Sequence, residues 1–144
     1  MHCYHFGEDV PRDAKTAVYA PANGLVRHTQ QRTGYGNVVI IEHRLSTLST
    51  EFVTTVIGHL RNNIQVAVGK VVIKSQLIGY LGNSSENGGW IPHVHLGVYK
   101  GTYAGDYALA CHGNRVYSGY TKENNTYVKN DWYMPTNFIQ SLMG

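Results

Sequence analysis

Cysteine is scarce: Cys3 and Cys111 are the two present in 144 residues. They form no C-x-x-C pair, which argues against a cysteine-based structural zinc site. One disulfide joining the two ends and a pair of reduced thiols both stay open. No window holds the roughly 18 apolar residues that a membrane-spanning helix needs. No charged start leads into an apolar stretch, so no signal peptide is expected in this sequence, which suits a cytosolic chain and a trimmed piece of an exported one alike. Net charge is +3, yet Lys and Arg form no run or stripe. Without that basic footprint a nucleic-acid partner is not expected, and no basic amphipathic helix offers itself to a lipid surface. Solenoid-length repeats and low-complexity segments are absent. Helical periodicity is nearly absent before residue 134, which excludes a helical bundle.

What the chain does have is β-type patterning. An apolar fraction of 42% suits one globular domain, and a monomer is expected. Short β-branched runs alternate with turn residues: 16–20, 25–29, 38–43, 52–59, 64–68 and 78–82. Pro21-Ala22-Asn23-Gly24 reads as a hairpin turn between the first two runs. The expected fold is therefore all-β, a small antiparallel sheet domain. Seven of the eleven tyrosines fall between Tyr99 and Tyr133, which reads as a cover over the sheet. Phe138, Ile139, Leu142 and Met143 predict a short terminal helix after Pro135. The division expected is one domain over 1–144, with a core over 5–99 and a tyrosine-rich extension over 100–144.

Eight histidines are the other abundance. His93 and His95 lie two apart in a strand-like stretch, so both side chains project to one face. Val94, Leu96 and Val98 take the opposite face, which suits a core. His5 and Asp9 are four apart but enclose Gly7 and precede Pro11, so an extended or looped segment is expected rather than a helix. His59 ends a strand. A catalytic zinc site uses three protein ligands from His, Asp, Glu and Cys and leaves a place for water. His5, Asp9, His59, His93 and His95 are five candidates for three places, and spacing does not choose among them. His2 and Cys3 are weaker alternatives. His28, His43 and His112 are most simply surface or structural residues.

An ordered set of motifs runs through these residues: His5-x-Gly7-x-Asp9, Val18-Tyr19-Ala20-x-x-x-Gly24, Tyr35-Gly36-Asn37-x-Val39-x-Ile41-x-His43, Gly58-His59-Leu60, Val68-Gly69, Gln76-x-Ile78-Gly79 and Pro92-His93-x-His95. The set resembles the lysostaphin/LytM-type zinc metallopeptidases, which cut peptide bonds in bacterial peptidoglycan. The resemblance covers about residues 5–99. It implies a duplicated hybrid motif (barrel-sandwich hybrid) fold with an open groove and a short C-terminal helix. It also implies one Zn2+ per chain held by His5, Asp9 and His95, with His59 and His93 as catalytic residues beside the attacking water. His93 is then the general base and His59 stabilises the charged intermediate, a division that the sequence leaves reversible. The substrate implied is wall peptide, and the location extracytoplasmic. A non-enzymatic LytM-like module that binds wall or regulates another hydrolase is the alternative, although all five positions are filled. A lipoyl- or biotinyl-type carrier lacks its modifiable lysine.

Three positions depart from the family pattern. Glu8 replaces a commonly apolar residue, as a solvated charge or an influence on His5. Ser75 stands where a turn glycine is usual. Some members carry a tyrosine upstream of the first histidine that faces the intermediate; here another tyrosine substitutes for it or the contribution is missing. Trp90, in the polar loop before Pro92, is read first as packing on the sheet and second as a contact for substrate.

Overall fold

A computed structural model describes residues 7–105, 121–123, 126–128 and 132–143. His2, Cys3, His5, Cys111, His112 and most of the tyrosine-rich segment lie outside the described residues. The fold is the expected one, mostly antiparallel β-sheet with one short C-terminal helix. The strands are β1 (Glu8–Pro11), β2 (Ala17–Tyr19), β3 (Gly24–His28), β4 (Gln31–Arg32), β5 (Gly36–Arg44) and β6 (Phe52–Leu60). They continue with β7 (Val71–Val72), β8 (Leu77–Tyr80), β9 (His93–Lys100), β10 (Thr121–Glu123), β11 (Thr126–Val128) and β12 (Trp132–Tyr133), and end in helix α1 (Pro135–Met143). The main sheet runs β1-β9-β6-β5-β3-β7, with β12 also on β9 and β4 also on β5. Strands β2 and β8 form a second small sheet, and β10 and β11 a third.

The continuous run Val38-Val39-Ile40-Ile41 on β5 is buried on both faces, as an unbroken apolar run requires. Val39 and Ile41 join Val26, Ile57, Leu60 and Val72 in one core, which the small sheet closes with Ala20, Ile78 and Leu81. Val38 and Ile40 join Val56 and Trp132 in a second core on the other face, flanked by Tyr35, Tyr99, Tyr103 and Met134. An aromatic cover over the sheet is thus present where the chain is described. Glu42 ties the 101–105 loop to this cover: it accepts the Tyr103 backbone N–H at 2.7 Å and pairs with Arg27 at 3.2 Å.

Two local expectations are corrected. Asn23-Gly24 is not a hairpin turn. Strand β2 pairs with β8 rather than β3, and Gly24 lies inside β3 opposite Val72. Asn23 instead serves tertiary contacts, accepting the Lys74 N–H at its Oδ1 and the His43 ring at its carbonyl. Residues 64–68 are not a strand, because their backbone groups are spent singly on other segments, Gln65 N–H on Ile78 for example. Glu8 is no idle charge either. Its carboxylate accepts the Thr136 N–H at 3.2 Å and the Thr136 hydroxyl, which places an anion at the start of α1 and ties the helix to β1.

Candidate active site

The site is built on one rung of the sheet. Asp9 of β1 and Gly58 of β6 both pair with His95 of β9, so the three residues lie side by side. Cross-strand partners share a face, and alternation from Val56 puts this rung on the face of the second core. His93 follows on the same face, as the sequence implies. Val94 and Leu96 pack on the opposite core.

Regular alternation would send His59 to the wrong face. The chain prevents this with a β-bulge. Ile57 pairs with Val39 and Leu60 with Asn37, so two residues of β6 oppose one of β5. His59 takes a left-handed backbone, φ 65°, which is uncommon for a residue with a side chain. The bulge keeps Ile57 and Leu60 both in the first core while turning His59 toward its fellow histidines. The His59 ring lies 4.2 Å from the His93 ring and 6.2 Å from that of His95, centroid to centroid.

Both non-rung histidines are oriented by backbone carbonyls. His59 Nδ1 lies 2.8 Å from the Asn87 carbonyl, and His93 Nδ1 lies 2.6 Å from that of Ile91. A carbonyl only accepts, so each Nδ1 carries a proton, and in the neutral form of either ring Nε2 holds the lone pair. Burial holds the His59 imidazole down at about 4, against the Asn87 hydrogen bond, with the neighbouring histidines adding to the fall. His59 is therefore neutral at pH 7. Tyr35 stacks on His59 with ring centroids 5.6 Å apart and meets His95 edge-on at 5.4 Å. Burial, and then the Asp9 charge, raises its phenol pKa. The sequence marks Tyr35 only as part of a turn motif. Its place beside the histidines follows from the turn that leads into β5, which no local signal reveals.

Asp9 Oδ1 lies 3.3 Å from His95 Nδ1 and 3.6 Å from His93 Nε2. The first separation exceeds the usual N–H···O distance of about 2.9 Å. It matches two donors sharing one tetrahedral zinc ion, whose bonds of about 2.0–2.1 Å put such donors roughly 3.3–3.4 Å apart. The pair makes a hydrogen bond at this distance, and the same oxygen and nitrogen would suit a zinc ion as two of its ligands. Among the described residues no group of three metal-binding side chains gathers; His5, the third expected donor, lies outside them. Gly7 explains its own place in the first motif. A Cβ there would come within 2.6 Å of His95 Nε2 and 2.7 Å of the Leu96 carbonyl. His28 and His43 are buried and structural. His43 bridges the Asn23 carbonyl and the Thr55 hydroxyl, each at 2.8 Å.

Residues 3–106 match the family model for peptidase family M23. The chain belongs to peptidase family M23. This M23 chain is also similar to solved structures. One is the catalytic domain of the antimicrobial peptidase lysostaphin from Staphylococcus simulans, at 19% identity and TM-score 0.61, over 94% of this chain and 79% of that one. A second is the catalytic domain of the prophage-encoded M23 protein EnpA from Enterococcus faecalis, at 26% identity and TM-score 0.55, over 70% and 72% of the two chains. A third is a zinc containing peptidase from Vibrio cholerae, at 28% identity and TM-score 0.56; the match covers 67% of this chain and 27% of the Vibrio protein. No curated protein sequence matches significantly.

Proposed function

We propose that this M23 chain is a zinc-dependent endopeptidase that hydrolyses peptide bonds in bacterial peptidoglycan outside the cytoplasm. The observation that carries the reading is the convergence of Asp9 Oδ1 with His95 Nδ1 beside two carbonyl-oriented histidines. His5, Asp9 and His95 would hold the metal. Zinc, when bound, acidifies water and polarises the scissile carbonyl at neutral pH. His93 Nε2 takes the proton of the attacking water and returns it to the leaving amine, the ordinary cycle of a general base. His59 enters neutral, with its only ring proton committed to Asn87. Its Nε2 lone pair accepts a hydrogen bond from the attacking water and so orients that water beside His93, whose ring centroid lies 4.2 Å away.

Metal analysis and wall digestion test the proposal together. The purified protein should carry close to one zinc per chain and release peptide ends from purified peptidoglycan, identified by mass spectrometry. Asp9→Ala and His95→Ala should lose zinc. His59→Ala and His93→Ala should keep it and lose hydrolysis. Full hydrolysis by metal-free protein would refute the mechanism, and zinc-loaded protein inert on every wall type would favour a binding module.

A further inference from the structure

The loop before β9 presents an exposed indole whose polar groups are hydrogen-bonded within the protein. Trp90 is 54% exposed, whereas the other tryptophan, Trp132, is 1% exposed and packs in the second core. Packing on the sheet, the simpler expectation for Trp90, is therefore not what the structure has. All three polar groups of Trp90 are nevertheless satisfied inside the protein. Its backbone N–H donates to Asn87 Oδ1 at 2.9 Å, its carbonyl accepts from Asn87 Nδ2 at 2.9 Å, and its indole N–H donates to the Gly34 carbonyl at 2.8 Å. Gly88 and Gly89 both have φ 97°, a conformation open to glycine. A Cβ on Gly88 would lie 2.6 Å from the Gly34 backbone, so the two loops meet with no side chain between them.

The same loops orient the candidate catalytic histidines. Asn87, whose side chain holds Trp90, gives its own carbonyl to His59. Ile91, the residue after Trp90, gives its carbonyl to His93. Gly34, which holds the indole, precedes the Tyr35 that stacks on His59. An extended peptide advances about 3.3–3.6 Å per residue, so a chain cut at these histidines reaches the neighbouring loop within about two residues of the scissile bond. A rigid aromatic face binds at low ordering cost because its orientation is already set.

We propose that Trp90 is a substrate-contacting residue, whose exposed indole face seats the backbone of the substrate peptide next to the scissile bond. The assignment rests on the peptidase reading above. It favours peptide over glycan because the indole is braced to the residues that orient His59 and His93.

Tryptophan fluorescence tests it without turnover, since Trp90 is the solvent-reaching member of the pair. Synthetic glycine-rich and alanine-containing wall peptides are titrated into the His93→Ala protein. The expected result is a shifted emission and a fall of about twofold or more in acrylamide quenching at saturation. In the active protein, Trp90→Ala should raise KM about tenfold with kcat within about twofold, and Trp90→Phe should recover most of the loss. Unchanged quenching with saturating peptide, or an unchanged KM in a folded Trp90→Ala protein, would overturn the assignment. So would protection by peptide-free glycan strands alone. If Trp90→Ala does not fold, the quenching result on the intact residue decides. If the parent protein cuts no wall peptide, the peptidase reading fails, and protection of Trp90 by peptide still decides this assignment separately.

Discussion

Asn87 is the residue whose replacement should reach furthest. It has no exposed surface, and its side chain makes four hydrogen bonds: from Nδ2 to the carbonyls of Gly82 and Trp90, and to Oδ1 from the N–H groups of Gly89 and Trp90. Each such bond contributes about 0.5–1.5 kcal/mol net. Two of the four are long, at 3.2 Å, and water can replace the partners near the loop surface. Asn87→Ala should therefore cost about 3 kcal/mol. With a urea slope of about 1–3 kcal/mol/M, the midpoint would fall by about 1–3 M. Asn87→Asp isolates the donors. It keeps the acceptor oxygen but sets a carboxylate against the two carbonyls, so at pH 7 it should cost as much as alanine or more. Burial and those carbonyls raise the new carboxyl above its ordinary value of about 3.9, against the two N–H groups that its other oxygen accepts. The penalty is then present above the raised pKa and is relieved as the pH falls through it, because the protonated acid donates one bond. Urea unfolding of parent, alanine and aspartate proteins at pH 7 and pH 5 measures both effects. An alanine variant within 1 kcal/mol of the parent, or an aspartate variant whose deficit ignores pH, would refute this account of the loop.

Three further outcomes are expected. Ser75 has φ 69°; that conformation costs about 1–2 kcal/mol with a side chain and glycine gives back part of it in unfolded-state entropy, so Ser75→Gly should stabilise by about 0.5–1 kcal/mol in thermal or urea unfolding. Gly7→Ala should reduce bound zinc, measured by metal analysis, with secondary structure unchanged by circular dichroism, because the added methyl displaces the His95 ring. His43 is buried, and desolvation lowers its pKa despite the Asn23 carbonyl and the Glu42 charge. The unfolded chain therefore binds the proton more readily: the contribution of His43 is complete above about pH 6.5 and is lost as pH falls below it, with a slope of up to about 1.4 kcal/mol per pH unit. His43→Gln should remove that part of the slope in unfolding measured between pH 7 and pH 5, at some cost at pH 7.

Where the pattern was local, the sequence was sufficient. The β-branched run of 38–43 announced a strand, the alternation of 93–98 put His93 and His95 on one face, and the apolar spacing after Pro135 announced α1. The ordered motifs carried the family, because each marks a place where backbone and side chains must meet; Gly7, pressed on His95, is one such place. Three things needed the tertiary structure. The Asn23-Gly24 pair looked like a hairpin because turn chemistry is local, whereas the partner of β2 is chosen by long-range packing on β8. His59 reached the site through a bulge and a left-handed residue, neither of which leaves a trace in apolar periodicity. Tyr35 and Asn87 came to lie beside the histidines because residues 34–35 and 87–90 meet in space across more than fifty positions of chain. Local physics chose the strands and their faces; long-range contact chose which loops stand beside the histidines.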